Sequence, residues 1–328
     1  MNNTEFYKGK KVLVVGGAGF VGVNLIHRLL ALGANVRATL HEKPAVVNDP
    51  RVEYVKVELR TPEGCAKAVE GMEYVFMCAA NTSGAAVIQN TPLAHVTPNV
   101  IMNTLLIEAA HAAKVKKYLW MSSNTVYPSF DHPVKEDEMM NGEPYDKYFP
   151  VAWMKRFGEI LCQMYSTKIK NPMLTVVVRP ANIYGIWDDF AWETSHVVPA
   201  LIRKVVEHHD PVEVWGDGTE IKDLIYVEDF VEGILIAMEK MEKFDPINIG
   251  TGVPVSVNDV LHSALEAEGY TNAKIAYNNS KPTMIPKRLI DVSKATRELG
   301  FTAQTSLKDG VKKTIEWYKK TYPNGYGK

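Results

Sequence analysis

The segment Lys11-Val-Leu-Val-Val-Gly-Gly-Ala-Gly-Phe-Val-Gly22 limits the possible folds more than any other part of this 328-residue chain. Four apolar residues, Val12 to Val15, read as a buried strand, and the chain then breaks into Gly16-x-x-Gly19-x-x-Gly22. Apolar residues return at helical spacing in Val21, Leu25, Leu29 and Leu32. A strand that turns tightly into a helix aims free N–H groups and the positive end of the helix dipole at one point, which suits a pyrophosphate. Glycine is needed there because a Cβ would block the turn or the anion. A glycine loop alone is weak evidence, but between a strand and a helix it marks a dinucleotide site.

Strand candidates at Val12–Val15, Asn35–Leu40, Val52–Val57, Tyr74–Cys78, Tyr118–Ser122 and Leu174–Val178 alternate with helical segments near Val21–Leu32, Thr61–Val69, Val100–Ala113 and Val151–Ile169. This alternation predicts an α/β fold, a Rossmann-type doubly wound parallel sheet. Helices near His196–His208, Val227–Lys240, Val257–Glu268 and Leu307–Lys320, with extended pieces at Val212–Trp215 and Pro246–Ile249, predict a smaller C-terminal α/β lobe. The expected division is a dinucleotide-binding domain over 1–180, which also receives returns near 215–250, and a mainly substrate-binding lobe over 181–328.

A formal net charge of −1, without a basic stripe, argues against a nucleic-acid partner. No apolar stretch approaches the roughly 18 residues of a membrane helix, and the polar start does not read as a signal peptide. Three scattered cysteines, Cys65, Cys78 and Cys162, fit a reducing cytoplasm. No Cys/His set has metal-ligand spacing, His208-His209 included, and no metal is expected.

The chain resembles the extended short-chain dehydrogenase/reductase family of nucleotide-sugar epimerases, dehydratases and ketoreductases. Beyond the glycine turn, the likeness rests on Met77-Cys-Ala-Ala80, Asn99 ahead of Thr104-Leu-Leu-Ile-Glu-Ala-Ala110, and Ser122-Ser-Asn-Thr-Val-Tyr127. It continues in Arg179-Pro-Ala-Asn-Ile-Tyr-Gly185, Trp215-Gly-Asp-Gly218, Asp223-Leu-Ile-Tyr-Val-Glu-Asp229 and Asn248-Ile-Gly-Thr-Gly252. Arg288-Leu-Ile-Asp-Val-Ser-Lys-Ala295 with Glu298-Leu-Gly300 completes it. The resemblance implies a nicotinamide coenzyme held by Gly16, Gly19, Phe20, Val21, Gly22, Leu59, Ala79, Ala80, Asn99, Lys155 and Pro180. It also implies a nucleotide-diphosphate sugar gripped by Asn182, Arg203, Lys222 and Arg288, and a homodimer built on the helices near Val100–Ala113 and Val151–Ile169. For Arg203 and Lys222 a solvated surface position is the competing reading.

The second strand ends at Leu40, where NAD enzymes commonly carry an acid. Val36-Arg-Ala-Thr resembles a stretch of the NADPH-dependent dihydroflavonol reductases, so Arg37, His41 and Lys43 are expected around a 2′-phosphate, favouring NADP. NAD stays open through Glu42.

The family's catalytic set is a serine, a tyrosine and a lysine. Ser123 and Lys155 match, but Val151 stands one helical turn before Lys155, where the tyrosine belongs. Three readings compete: Tyr148 reaches the site past Pro150, or His196 or a water moves the proton, or the protein binds its ligands and turns over poorly. His196, which looks like a histidine of the GDP-fucose synthases, is equally readable as structural. Asn124-Thr125 lacks the acidic pair of the dehydratases, and Thr125 stands where the 3,5-epimerising synthases carry cysteine. The expected reaction is therefore 4-epimerisation or 4-keto reduction of a nucleotide sugar; reduction of a non-sugar ketone rests on the Arg37 segment alone.

Overall fold

In the computed structural model, residues 4–81, 91 and 93–327 are described. Short apolar runs become the strands β1 (Lys11–Val15), β2 (Asn35–Leu40), β3 (Val52–Lys56), β4 (Tyr74–Met77), β5 (Lys117–Met121) and β6 (Leu174–Pro180). With Ile247–Ile249 at one edge they form a seven-stranded parallel sheet, ordered Ile247–Ile249, β6, β5, β4, β1, β2, β3. Strand order reverses between β1 and β4, so a crevice opens there beyond the carboxyl ends.

Alternation along β1 sends Val12 and Val14 into one apolar layer and Leu13 and Val15 into the other. Helices Phe20–Ala31 and Val227–Lys240 cover the first layer through Leu25, Leu29, Phe230 and Ile234. Pro62–Val69, Leu93–Ala112 and Phe149–Thr167 cover the second through Cys65, Leu106 and Cys162. Burial on both faces is what a parallel sheet requires, at about 1.5–3 kcal/mol for each fully covered large aliphatic side chain.

One helix departs from the sequence reading: it begins at Leu93, not near Val100, and carries Pro98 inside it. Proline normally marks a boundary. Here the turn around it is tied by Asn99, whose Nδ2 donates to the His95 carbonyl at 2.5 Å.

A third apolar cluster, with Phe190, Leu201, Ile202, Val214, Leu261 and Ile315, holds the C-terminal lobe together. Its helices are Val197–Val206, Val257–Glu268 and Leu307–Thr321. Several strands here are only two or three residues long, too short for alternation to register in a sequence. Ile221–Lys222 lies between Val255–Ser256 and Lys287–Arg288, and this pairing places Arg288 opposite Lys222. Among the described residues no helix is long and apolar enough to cross a membrane.

Candidate active site

The glycine turn is built for close approach. Gly16 has φ +85°, and a Cβ on it would lie 2.8 Å from the Ala79 Cα; one on Gly22 would lie 2.2 Å from the Gly16 carbonyl oxygen. Gly19 is exposed, and a Cβ there would meet only that oxygen, at 3.3 Å. Gly19 also caps the helix Phe20–Ala31, which has no side-chain cap and no acid in its first turn. Phe20 and Val21 are half-buried beside the open end. A bare helix N-terminus beside an unobstructed glycine fits a pyrophosphate.

At the carboxyl end of β5, the Ser123 Oγ accepts from the Thr125 N–H at 3.1 Å and from the Thr125 Oγ1–H at 2.9 Å. Lys155 reaches the same strand end, donating from Nζ to the Met121 carbonyl at 2.8 Å and lying 4.8 Å from the centre of the Trp120 ring. Burial pushes its ammonium down to about 8, with Glu159 opposing. The fold thus unites Ser123, Thr125 and Lys155. Val151 lies half-buried in the first turn of Lys155's helix.

Tyr148 does not join them, which corrects its assignment as proton donor. It ends the single turn Asp146–Tyr148, and its hydroxyl lies by the backbone of Ile285, among Arg288, Glu220 and Tyr145. Burial first, then Glu220 and Tyr145, pushes it up to about 12, against the pull of Arg288. Lys155 is not among the groups that shift it. The Tyr-x-x-x-Lys spacing occurs elsewhere in the chain, at Tyr7–Lys11, Tyr270–Lys274 and Tyr277–Lys281, but away from β5. Tyr7 donates to the Leu235 carbonyl at 2.7 Å, and Tyr277 donates to the Asn258 Oδ1 at 3.0 Å.

The four expected substrate contacts separate. Arg288 is buried, with two donors on the carbonyls of Pro128 and Tyr127, at 2.7 and 3.1 Å, and its Nε without a partner. Among the described residues no carboxylate pairs with it, and burial pushes it down to about 10 despite Tyr148 and Tyr127 nearby. Lys222, opposite it, is buried and pairs with Glu220 at 3.0 Å. Asn182 is exposed and accepts from the Asn124 Nδ2 at 3.1 Å. Arg203 is a correction. Its guanidinium donates to Glu207 and to the carbonyls of Phe190 and Tyr326, and lies 3.9 Å from the Trp192 ring centre. Those partners fasten the lobe and leave no face for a diphosphate.

His196 is the N-cap of Val197–Val206, exposed to the cleft although protein crowds it on most sides. Crowding lowers its pKa, as do His95 and Lys222, while Asp189 raises it; cleft water blunts the crowding effect.

Two expected coenzyme contacts are also corrected. Arg37 donates to Glu53 at 2.9 Å and to the carbonyls of Ala68 and Glu70, so it closes the end of Pro62–Val69 and does not face the crevice. Asn99 clamps the backbone N–H and carbonyl of Asn81 at 2.8 and 3.0 Å, so it shapes the strand end instead of meeting a ligand. Ala79 is half-buried and Ala80 exposed, Leu59 is buried, and Pro180 is half-buried at the end of β6. His41 and Lys43 are exposed beyond β2. Sequence reasoning missed Glu58, which faces His41 at 3.2 Å and accepts from Arg60 at 2.9 and 2.6 Å. Glu58 and Arg60 flank Leu59 just past the end of β3.

Also missed is the network behind the site. Buried Glu159 accepts from the Ser122 hydroxyl and from the Arg179 Nε and Nη2, at 2.9 and 2.6 Å for the arginine. Arg179 donates onward to the Tyr127 hydroxyl, which donates to Asn248. A buried arginine pair of this kind orders the β5 and β6 ends that carry the site.

The NAD dependent epimerase/dehydratase family matches residues 12–250, and the chain belongs to it. It is 30% identical over 319 residues to a protein called putative GDP-L-fucose synthase 2 from Arabidopsis thaliana, covering 95% of this chain and 92% of the relative. A GDP-L-fucose synthase from Escherichia coli is 29% identical over 265 residues, covering 76% of this chain and 81% of the relative. Among solved structures, UDP-glucose 4-epimerase of Thermotoga maritima, with UDP-glucose, superposes with a TM-score of 0.84 at 27% identity, covering 94% of this chain and 99% of that one.

Proposed function

We propose that this chain is a nucleotide-sugar 4-epimerase or 4-ketoreductase that works with a nicotinamide coenzyme, NADP in preference to NAD. The observation that carries the reading is Arg288, a buried cation without a carboxylate among the described residues, paired in register with Lys222 beside a strand end that carries Ser123 and is reached by Lys155. Cations so placed neutralise adjacent diphosphate oxygens. Relatives named for GDP-fucose synthesis and UDP-glucose epimerisation support the substrate class.

The Gly16–Gly22 turn and the bare helix end would hold the pyrophosphate, and Lys155 the ribose on the nicotinamide side. The bound coenzyme exchanges hydride with the sugar's C4. Ser123 accepts two hydrogen bonds from Thr125, so its own proton is left to point at the reacting sugar oxygen. Asn124 and Thr125 do not ionise near neutral pH, which suits proton relay at one carbon and not elimination of water. With Tyr148 turned to the lobe, a group other than a tyrosine holds the moving proton; His196 is the residue the sequence names for that part.

NADP is favoured because β2 ends in Leu40 with His41 and Arg60 meeting at Glu58 beyond it and Lys43 exposed two residues on; Glu42 and Glu58 carry the NAD alternative. A homodimer through the faces bearing Ile101, Phe157, Ile160 and Met164, each exposed, and a cytoplasmic location belong to the same proposal.

The test is purified protein with NADPH or NADH and a panel of 4-keto and 4-hydroxy nucleotide sugars, scored for coenzyme oxidation and sugar interconversion. Val151 favours a second reading, a binder with little turnover. Binding without conversion, together with turnover gained by Val151→Tyr, would establish it.

A further inference from the structure

His95 has a use that the glycine turn and the Ser123–Lys155 pair leave unexplained. It lies in the first turn of Leu93–Ala112 and is 3% exposed. Its Nδ1 is 2.9 Å from the Asn81 carbonyl oxygen. A carbonyl only accepts, so Nδ1 carries a proton, and in the neutral ring Nε2 is then a bare lone pair. That Nε2 is buried and has no hydrogen-bond partner among the described residues. Buried polar atoms are nearly always satisfied, so this acceptor is left open to a donor from a ligand.

The imidazole is also held in place. Asn99 fixes Asn81 from both sides and ties the His95 carbonyl. The location is informative too. Residues 79–81 leave β4 beside the glycine turn, where Ala79 packs against Gly16. On the lobe, His196 lies within electrostatic reach of both His95 and Lys222. His95 thus stands on the coenzyme side, against the chain leaving β4, and His196 stands on the lobe.

We propose that the His95 Nε2 is the proton acceptor for the reacting sugar hydroxyl, in the part left open by Val151. This rests on the sugar-nucleotide reading above. In oxidation the O–H bond breaks and an Nε2–H bond forms. The electron pair stays on the oxygen, which becomes the ketone oxygen as the coenzyme takes up the C4 hydrogen with its bonding electrons. Reduction returns the proton. Ser123 donates to the same oxygen, and His95 takes the part that the sequence alone offers to His196.

The experiment combines binding with nitrogen NMR of histidine-labelled full-length protein. His95→Phe assigns the His95 signals, and His95→Gln keeps a side-chain acceptor of similar size if the phenylalanine variant fails to fold. With a coenzyme and a nucleotide sugar that calorimetry shows to bind, the unprotonated Nε2 resonance should shift on sugar binding. Both variants should bind coenzyme as the wild type does, and kcat should fall about 100-fold or more with a much smaller change in KM. An Nε2 signal that ignores saturating sugar nucleotide, or kcat within about threefold of wild type in His95→Gln, overturns the proposal while leaving the substrate reading intact. Failure of the wild type to bind any nucleotide sugar overturns both.

Discussion

Replacing Lys155 by methionine tests whether the site holds a cation against the preference of its surroundings. Burial brings the ammonium down to about 8 from an ordinary 10.5. The folded value lies below the unfolded one. Below about pH 8 both states keep the proton, and the folded protein bears the whole penalty, at most about 3 kcal/mol. Between that value and the unfolded pKa the unfolded chain holds more protons, so stability rises with pH. From about pH 7 to about pH 9.5 the gain works out at about 2 kcal/mol, an upper bound because Lys155 lines a cleft. Urea unfolding of coenzyme-free wild type and Lys155→Met across this range isolates the effect, since other titrating groups cancel in the difference. The wild type should gain on the variant as pH rises. A difference that is flat, or that falls with pH, would refute the claim that Lys155 is a desolvated cation.

Arg288→Met should weaken nucleotide-sugar binding about 10- to 100-fold and leave coenzyme binding unchanged, measured by calorimetry with each ligand. Gly22→Ala places a Cβ 2.2 Å from the Gly16 oxygen, so coenzyme affinity should collapse along with stability, read by thermal unfolding and coenzyme titration. Glu159→Gln leaves Arg179 buried without its anion and should lower stability by about 3–5 kcal/mol in urea unfolding. Ile160→Asp, on an exposed helix face, should leave the fold intact and yield monomer by sedimentation if that face joins two copies.

Much of the sheet is legible because its strands are long enough to show an apolar run and its helices long enough to show their period. The glycine turn is legible because its constraint is local: Gly16, Gly19 and Gly22 answer to one backbone path. Arginines are another matter. Arg203 and Arg288 look alike in sequence, and only their partners separate them, Arg203 on Glu207 and an aromatic ring, Arg288 on two carbonyls with one donor left over. Arg37 has the same history, since the helix end it closes comes from residues 68 to 70. Tyr148 could not be placed from spacing, because the turn before Phe149 directs it to Ile285, far along the chain. Glu159 and Arg179 lie 20 residues apart on a helix and a strand, and no periodicity announces their meeting.

The ladder of two-residue strands that sets Lys222 against Arg288 has a consequence for how the molecule comes apart. Those residues lie in separate stretches of chain that meet through this ladder. A diphosphate clasped by both would act as a rivet, so ligand should protect the C-terminal lobe from proteolysis more than it protects the nucleotide-binding sheet.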